Sequence, residues 1–563
     1  MTQPPGDADG DPTVAGLLLA RAADPHPGLR FEDDVWSWRE VVSAGAVRAS
    51  LLRSMGDTGP PHLGVLLGNV PEYLFWLGAA ALGGAVVVGI NPTRRGDALA
   101  GDILRTDCRL IVTDAQGAQL LEGLSVGVAA DRVLRIDSAE YTHLLARHEG
   151  ADPHAVASDA EPVPEDLFLL LFTSGTTGAP KAVRCTQGRL ASIAVRSAEA
   201  YGFERDDVAY CTMPLFHGNA LMALWGPTLV VGATVALARR FSASGFLGDV
   251  RRHRATTFTY VGKALAYILD TPPAPDDAGT TLRRGFGTEA SVADHAAFER
   301  RFGCVLTEGY GSSEGGVAIT RSPDTPVGSL GRPVGDVAIV DPETLDECPP
   351  ARFDDAGRLV DGDAAVGEIV NRAGIGRFEG YYGDDGATAQ RTRHGWYWTG
   401  DLAYRDEAGF FYFAGRGGDW MRVDSENLAA GPIERVLVRL EGAAAVAVYP
   451  VPDPRSGDQV MAAIELLPGR RFDAHAFAAF LASQPDLGTK WSPAFVRVTD
   501  ALPQTASGKV TKGMLRREGW WRGREPVFRR AGPTLGYAVL DEDARNELRA
   551  EFGRYGRGDL IGG

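Results

Sequence analysis

The sequence is poor in cysteine and in basic residues, and each shortage excludes a class of protein. Only five cysteines occur in 563 residues, scattered and without a CxxC pair, so neither a disulfide framework nor a zinc site is expected. Reduced, buried thiols are the simplest prediction for them. Lys and Arg number 57 against 73 Asp and Glu, which gives a formal net charge of −16 without any basic run. Since a nucleic-acid-binding protein needs a basic face, nucleic acid is not an expected partner.

Long hydrophobic runs are also scarce, with one exception. Tyr73 to Ile90 carries no charge and approaches transmembrane length. Gly83 and Gly84 divide it into a helix-like half and a β-branched half, which predicts a buried helix, a turn and a buried strand. We therefore expect no membrane span. The acidic, Pro- and Gly-rich first residues do not resemble a signal peptide, and a cytoplasmic location is expected.

Apolar strand-like runs alternate with helix-like segments from about residue 30 to 420. Continuous apolar runs are typical of strands buried on both faces of mostly parallel sheets, with helices outside. The sequence GRGGD at 415–419 marks a boundary, because two adjacent glycines give the freedom that a hinge uses. We predict an α/β fold with a large N-terminal domain (1–416), a small α+β C-terminal domain (417–525) and a tail (526–563). The tail is expected to be a loop followed by a charged, solvated helix.

The strongest chemical signal is the segment TSGTTGAPK, which follows the apolar run 167–172. Gly175 and Gly178 allow backbone N–H groups to approach a phosphate without a Cβ in the way. Hydroxyl donors and a cation surround them: Thr173, Ser174, Thr176, Thr177 and Lys181. The spacing does not fit the P-loop of NTPases. The pattern nevertheless predicts a phosphate-binding loop rather than an ordinary Ser/Gly turn.

This segment resembles the phosphate loop of the adenylate-forming superfamily, which includes acyl- and aryl-CoA synthetases, adenylation domains and luciferases. Four further segments agree with the superfamily in order and spacing, and together they cover most of the chain. The resemblance implies an enzyme that uses ATP and Mg²⁺ to convert an acid into an acyl adenylate, releasing pyrophosphate. It also implies CoA as the expected co-substrate that then accepts the acyl group.

The segment GYGSSE at 309–314 resembles the superfamily's YGxTE motif. The resemblance implies that Tyr310 stacks on adenine, that Gly311 and Ser313 belong to the nucleotide site, and that Glu314 holds Mg²⁺. The metal role agrees with electrostatics, because a carboxylate beside a triphosphate is repelled unless a cation lies between them.

Two segments nearer the C-terminus complete the implied site. Asp401, in Thr-Gly-Asp, resembles the aspartate that accepts both ribose hydroxyls, and Arg416 resembles the arginine beside the ribose. Gly417 and Gly418 would form the hinge. Lys509, in PQTASGK, resembles the catalytic lysine, whose ammonium can stabilise charge that grows between the acid oxygen and the α-phosphate.

His217, in PLFHGN, matches the aromatic position that closes over the acid in acyl- and aryl-CoA synthetases. The aspartate with which amino-acid adenylation domains bind the substrate amine is absent, so an α-amino acid is disfavoured. Segments 255–273, 404–434 and 520–530 are most similar to the fatty-acid-transport-protein and very-long-chain branch, which includes actinobacterial steroid side-chain acyl-CoA synthetases. In that branch Gly287 and Thr288 line the adenine pocket.

One departure leaves the acceptor open. The branch pattern Gly-Glu-Asn after the hinge is Ser-Glu-Asn here, with Ser425 on the loop that passes the pantetheine of CoA. A Cβ at that point narrows the passage or strains the backbone if φ is positive. The main hypothesis is an acyl-CoA synthetase acting on a fatty, steroid side-chain or aryl acid. The alternatives are an ATP-dependent diazotase, which adenylates nitrite and couples it to an aromatic amine, and a non-catalytic nucleotide sensor. The oligomeric state is left open.

Overall fold

Short buried strands alternate with helices through the first three quarters of the chain, as the hydrophobic pattern predicts. The computed structural model describes residues 12–56, 61–173, 180–288, 290, 292–355, 359, 361–416, 420–423, 426–455, 457–484, 487, 491–504, 510–531, 536–555 and 557–561.

The strands are numbered in chain order. Those of the N-terminal part are β1 (Pro27–Phe31), β2 (Asp34–Ser37), β3 (His62–Leu66), β4 (Val86–Gly89), β5 (Leu110–Thr113), β6 (Val133–Arg135), β7 (Leu167–Thr173), β8 (Lys181–Thr186), β9 (Val208–Cys211), β10 (Thr234–Leu237), β11 (Thr257–Val261), β12 (Arg284–Thr288), β13 (Val305–Glu308), β14 (Ile319–Thr320), β15 (Arg332–Pro333), β16 (Val337–Val340), β17 (Gly367–Asn371), β18 (Tyr397–Arg405) and β19 (Phe411–Arg416). Those of the C-terminal part are β20 (Trp420–Val423), β21 (Glu426–Ala429), β22 (Ala443–Pro452), β23 (Asp458–Leu466), β24 (Phe495–Thr499), β25 (Val527–Ala531) and β26 (Gly536–Val539).

The helices are numbered in the same way. They are α1 (Val14–Leu19), α2 (Trp38–Met55), α3 (Pro71–Gly83), α4 (Gly96–Arg105), α5 (Ala115–Leu121), α6 (Ala139–Ala146), α7 (Pro153–Ala160), α8 (Gln187–Ala200), α9 (Gly218–Ala220), α10 (Gly226–Val231), α11 (Phe246–His253), α12 (Gly262–Leu269), α13 (Val292–Phe302), α14 (Gly362–Ala365), α15 (Asp385–Arg391), α16 (Ala430–Leu437), α17 (Ala474–Ala482), α18 (Lys512–Arg522) and α19 (Glu542–Arg554). A π-helix, Leu221–Trp225, lies between α9 and α10.

Two large sheets form the N-terminal part. One has the order β13-β12-β11-β9-β10-β1-β2 and the other the order β6-β5-β3-β4-β7-β8. Both are parallel except at one edge, where β1 pairs with β2 and β7 with β8 in antiparallel fashion. Every residue of β3, β4 and β5 is buried, which explains their continuous apolar sequences. The predicted mostly parallel α/β fold is confirmed.

The apolar segment Tyr73–Ile90 folds as predicted. It supplies most of α3 and all of β4, with Gly84 in the left-handed conformation (φ 69°) at the end of the helix. Glycine adopts this conformation without the steric penalty of a Cβ. None of the helices in the described part of the chain combines the length and apolar character that a bilayer crossing requires.

The cysteines are buried free thiols, as their spacing predicts. Burial raises the pKa of Cys108, Cys185, Cys211 and Cys304 to about 12 and that of Cys348 to about 11. Because the thiolate is the reactive form, these side chains act as small apolar core residues.

The C-terminal part is built on a five-stranded sheet in the order β22-β23-β24-β25-β26. The helices predicted there are α16 and α17, and the predicted strands are β22, β23 and β24. The expected loop after Glu525 is wrong for two stretches, because β25 and β26 extend the sheet beyond β24. Helix α19 is present, but Leu548 and Phe552 are buried in a cluster with Trp520. One face of that helix is therefore packed rather than solvated.

A buried ion pair joins three helices of the N-terminal part. Arg48 of α2 donates to both carboxylate oxygens of Glu72 on α3, at 2.5 and 2.7 Å. Tyr141 of α6 also donates to Glu72 and accepts from the indole N–H of Trp76 at 3.0 Å. The Glu72 carboxylate is thus held by donors from two other helices. Removing one partner of such a pair leaves the other charge buried in a low-dielectric environment without a counter-ion.

We expect Arg48→Met to lower the free energy of unfolding by about 3–5 kcal/mol, because it strips Glu72 of its cation inside the protein. Arg53→Met is the matched control on the same helix, since Arg53 and its partner Asp159 are both largely exposed. Its expected cost is about 0–1 kcal/mol. Urea unfolding followed by tryptophan fluorescence measures both. Equal shifts for the two variants would show that the buried pair has no special weight.

Candidate active site

The hairpin of β7 and β8 carries the predicted phosphate-binding segment between its strands. Thr173 and Lys181 are register partners across the hairpin, so the two ends of the segment lie side by side. The Lys181 ammonium lies over the ring of Tyr381, 5.3 Å from its centroid. This is within the distance at which a cation is attracted by an aromatic face. The base of the segment therefore carries an oriented positive charge.

Tyr381 connects Lys181 to the predicted metal ligand. Its hydroxyl donates to Oε1 of Glu314 at 3.0 Å, and it accepts from Nε of Arg391 at 3.3 Å. Burial, followed by the Glu314 charge, raises the pKa of Tyr381. Burial alone would lower the pKa of Arg391, but Tyr381 and neighbouring groups outweigh it and raise the value. Tyr381 thus stays a hydroxyl donor and Arg391 a cation across the physiological pH range.

Glu314 is a carboxylate with restricted access to solvent, since the residue is only 7% exposed. Its surroundings contain the Tyr381 hydroxyl and, beyond it, two cations. In the described part of the chain, no cluster of three or more His, Cys, Asp or Glu side chains could enclose a metal ion. Mg²⁺ is usually held by one or two protein carboxylates when substrate phosphates and waters supply the other oxygens. Glu314 therefore fits the predicted role of one metal ligand beside phosphate.

Arg189 of α8 fixes the loop that carries Glu314. One guanidinium nitrogen donates to the carbonyl of Ser313, and another donates to the carbonyl of Arg184 on β8 at 2.6 Å. The loop is in this way attached to the strand that begins at Lys181. A Cβ added to Gly218 would lie 3.1 Å from Oγ of Ser313, so the turn after His217 also contacts the loop. Three segments predicted separately from the sequence meet here.

Tyr310 and Asp401 form a second contact between predicted residues. The Tyr310 hydroxyl donates to Oδ2 of Asp401 at 2.7 Å, and burial, followed by the Asp401 charge, raises the pKa of Tyr310 well above its usual value. Asp401 pairs in register with Arg416 across β18 and β19. The predicted adenine-stacking and ribose-binding residues therefore lie side by side, with the end of β19 next to them.

Gly287 and Thr288 lie at the end of β12, next to the same loop. The N–H of Gly309 donates to the carbonyl of Gly287 at 3.2 Å. A Cβ at Gly287 would lie 2.4 Å from ring atoms of Tyr260 on the neighbouring strand. The close packing of this aromatic ring is a structural reason for glycine that the sequence did not reveal. Gly311, by contrast, has open space where a Cβ would stand.

A cavity of about 440 Å³ opens beside the His217 turn. Its walls come from the loops that follow the parallel strands β3, β4, β9 and β10, from β11 and α12, and from the C-terminal part. In open α/β sheets, ligands bind at this carboxyl edge. The residues that line it include Asn69, Phe216, Arg240, Tyr267 and Gln504.

Asn69 shapes the wall of this cavity. Its amide nitrogen donates to the carbonyls of Met213 and Ala238 at 3.0 and 3.1 Å, and its oxygen accepts from the N–H of Leu215 at 3.0 Å. These bonds hold the segment leading to His217, which sits at the N-terminus of α9 with its ring against Phe216. Asn69, Tyr381 and Arg391 had no motif around them, so the sequence offered no signal for them.

Several predicted residues lie outside the described residues, and their roles remain predictions. They are Ser174, Gly175, Thr176, Thr177 and Gly178 of the phosphate segment, the hinge residues Gly417 and Gly418, Ser425, and Lys509. The ends of the Lys509 segment are described. Gln504 bridges Val510, and the N–H of Thr511 donates to the carbonyl of Pro503 at 2.7 Å. Since Gln504 lines the cavity, the base of this segment lies at the cavity wall.

Comparison with known proteins agrees with this geometry. The model of the AMP-binding enzyme family matches residues 19–382, and that of the AMP-binding enzyme C-terminal domain matches residues 432–509. The steroid-22-oyl-CoA synthetase of Rhodococcus jostii is 55% identical over 547 residues, which are 97% of this chain and 98% of that one. The medium/long-chain-fatty-acid–CoA ligase FadD17 of Mycobacterium tuberculosis is 50% identical over 510 residues, which are 90% and 97% of the two chains.

Among solved structures, the anthranilate CoA ligase AuaEII in complex with anthranoyl-AMP has a TM-score of 0.75 at 20% identity, covering 90% of this chain and 96% of that one. This likeness confirms the fold. The near-complete coverage by CoA ligases does not favour the diazotase alternative. The chain belongs to the AMP-binding enzyme family and is an ATP-dependent, AMP-forming ligase of the acyl-CoA synthetase type.

Proposed function

We propose that the protein activates a fatty or steroid side-chain carboxylic acid as its acyl adenylate and then transfers the acyl group to CoA, with Mg²⁺ assisting the first step. The observation that carries this proposal is the meeting of Lys181, Glu314 and the Tyr310–Asp401 pair at one edge of the sheets. The 55% and 50% identical relatives, a steroid-22-oyl-CoA synthetase and a medium/long-chain-fatty-acid–CoA ligase, support the acid class.

In the first step, a carboxylate oxygen of the acid attacks the α-phosphorus of ATP, and the bond to the pyrophosphate oxygen breaks. Lys181, oriented by the Tyr381 ring, attracts the phosphates that leave as pyrophosphate. Mg²⁺ bound with the triphosphate would be held by Glu314 and would neutralise phosphate charge. Asp401 accepts the ribose hydroxyls, and Tyr310 contributes its ring to the adenine site. These residues orient the α-phosphorus, and orientation is a large part of catalysis in phosphoryl chemistry.

Lys509 has the remaining role in this step. Its ammonium stabilises the charge that grows between the attacking carboxylate and the α-phosphate. The hydrogen bond from Tyr310 to Asp401 holds the adenine-binding and ribose-binding residues together, so that the α-phosphate is positioned for this attack. His217 stands at the turn beside the cavity, where it closes over the acid.

In the second step, the CoA thiolate attacks the acyl carbon of the adenylate, the thioester forms and AMP leaves. The cavity offers a route to the His217 turn, and Arg240 on its wall suits the phosphates of CoA. A rotation of the C-terminal domain about Gly417 and Gly418 would withdraw Lys509 once the adenylate has formed. In the cytoplasm, the location we expect, the enzyme would have access to both ATP and CoA.

Lys509→Ala separates the two steps. We expect acid-dependent exchange of pyrophosphate into ATP to fall by about 10²–10³-fold, because the transition-state charge loses its cation. Transfer from a preformed acyl adenylate to CoA should change by less than about threefold. Lys512→Ala is the matched control, since Lys512 is paired with Glu434 at 2.8 Å and lies three residues further on. Equal loss of both steps in Lys509→Ala would contradict the assigned role.

Glu314→Gln tests the metal site. The substitution preserves the hydrogen bond from Tyr381 but removes the charge that Mg²⁺ needs, so the Mg²⁺ concentration for half-maximal adenylation should rise at least about tenfold. Titration of adenylation with Mg²⁺ at constant free ATP measures it. Glu299→Gln is the control, because the Glu299 carboxylate accepts from the backbone N–H of Leu306 at 2.9 Å. An unchanged Mg²⁺ dependence in Glu314→Gln would remove Glu314 from the metal site.

The substrate class is tested by AMP release in the presence of ATP and Mg²⁺. Three mixtures suffice: steroid side-chain or fatty acids with CoA, aryl acids with CoA, and nitrite with an aromatic amine. We expect the highest kcat/KM in the first mixture, because its acids match those named for the relatives. AMP release that occurs only with nitrite and the amine, and is indifferent to CoA, would overturn the proposed second step and leave adenylation intact.

A further inference from the structure

A buried carboxylate of the C-terminal domain receives hydrogen bonds from both domains. Glu465 lies on β23 and is fully buried. Its Oε1 accepts from the hydroxyl of Tyr267 on α12 at 2.5 Å. Its Oε2 accepts from the backbone N–H of Leu502 at 2.8 Å. One side chain therefore connects a helix of the N-terminal domain to a backbone position of the C-terminal domain.

Leu502 is the residue directly before the segment that contains Lys509. Pro503 and Gln504 follow it, and the bridge from Gln504 to Val510 closes the base of that segment. Gln504 and Tyr267 line the same cavity. The bond from Leu502 to Glu465 thus fixes the start of the segment. The bond from Tyr267 fixes Glu465 relative to α12 and the cavity.

On the N-terminal side of this contact, Tyr267 is held in place by its helix. Tyr267 belongs to α12, which follows β11 directly and also contacts β22 of the C-terminal sheet. Burial, followed by the hydrogen bond to Glu465, raises the pKa of Tyr267, so the hydroxyl remains a donor. A hydrogen bond to an ionised, desolvated carboxylate is stronger than one between neutral groups.

We propose that Tyr267 and Glu465 are positioning residues for the adenylation step: their hydrogen bond holds the C-terminal domain in the orientation in which the Lys509 segment begins at the substrate cavity. The inference rests on the proposed role of Lys509 and adds to it the contact that selects the orientation. Neither residue touches the reacting atoms in this assignment. Breaking the bond releases the domain for the second step, in which Lys509 is withdrawn.

The contact has the properties that such a role requires. The hydrogen bond from Tyr267 to Glu465 is directional and joins the two domains, so a rotation of the C-terminal domain breaks it. The bond from Leu502 to Glu465 lies within the C-terminal domain and survives the same rotation. Population of the adenylating orientation then depends on the Tyr267 bond, while the bond that holds Leu502 at the start of the Lys509 segment does not.

The test compares the two half-reactions in the full-length protein. Tyr267→Phe removes the hydroxyl and keeps the ring. We expect acid-dependent pyrophosphate exchange to fall about tenfold, the factor for a lost hydrogen bond to a charged group. CoA thioester formation from a preformed acyl adenylate should be unchanged or faster. Tyr210→Phe is the matched control, because the Tyr210 hydroxyl donates to the Asp249 carboxylate at 2.6 Å within the N-terminal domain alone.

Glu465→Gln provides a second variant. Its amide can accept one of the two hydrogen bonds but presents N–H groups to the other donor, so the same split between half-reactions is expected. The loss in the double variant should be smaller than the sum of the two single losses, since both variants weaken the Tyr267–Glu465 interaction. Thermal unfolding of each variant checks that the fold is intact.

The outcomes separate this inference from the proposed function. Unchanged pyrophosphate exchange in Tyr267→Phe, with Lys509→Ala inactive in that assay, would overturn the positioning role and leave the function standing. An equal loss in both half-reactions, or the same loss in Tyr210→Phe, would reduce the contact to a structural one. Full exchange activity in Lys509→Ala would instead contradict the proposed function on which the inference rests.

Discussion

The hydroxyl of Tyr381 donates to the buried carboxylate of Glu314 while its ring lies beneath the ammonium of Lys181. The rest of the site depends on this arrangement. If both groups face the same triphosphate, as we propose, they must not pair with each other before it binds. The aromatic ring keeps the two charges apart, and its hydroxyl satisfies an oxygen of the carboxylate. Glu314 thereby stays available for the proposed metal role and Lys181 for the proposed contact with phosphate.

This local order explains how an acidic protein can bind polyanions. The formal net charge of −16 repels ATP and CoA at long range, and screening in physiological salt limits that field to about 8 Å from the surface. Within the site the balance is different, since the Lys181 ammonium and the Arg391 guanidinium both contact Tyr381, which donates to the Glu314 carboxylate. Binding is therefore governed by a few oriented cations near the strand ends, and global charge is a poor guide to the ligand.

The fold was predictable because its main signals are local. Continuous apolar runs identify strands buried on both faces, and Gly84 ends α3 where the double glycine indicated a turn. The outer strands β25 and β26 were missed because they are only five and four residues long, and the adjacent Arg529 and Arg530 interrupt the apolar pattern of β25. The buried face of α19 was missed because Leu548 and Phe552 are only two apolar positions on a charged helix.

In the candidate site, the residues inside sequence motifs could be predicted, and those outside motifs could not. Residues within motifs, such as Glu314 and Asp401, carry their own sequence context, whereas Tyr381 and Asn69 act on partners 67 and more than 140 positions away. A tyrosine or an asparagine without a motif is indistinguishable from an ordinary core or turn residue. Gly287 shows the reverse case: the resemblance assigns it to the nucleotide, and the packing of Tyr260 against it adds a reason that only the three-dimensional structure contains.

An enzyme that uses one site for two reactions must stabilise its C-terminal domain in one orientation for the first reaction. It must also allow that domain to rotate before the second reaction. A wide apolar interface would meet the first need and fail the second, because each 100 Å² of buried apolar surface is worth about 2.5 kcal/mol and is lost on separation. A hydrogen bond to a charged group contributes about 1.5–3 kcal/mol, enough to populate one orientation by more than tenfold. The Tyr267–Glu465 hydrogen bond is of this kind. Because it is directional, it would break early in the proposed rotation of the C-terminal domain, which suits a choice between two orientations better than a gradual change.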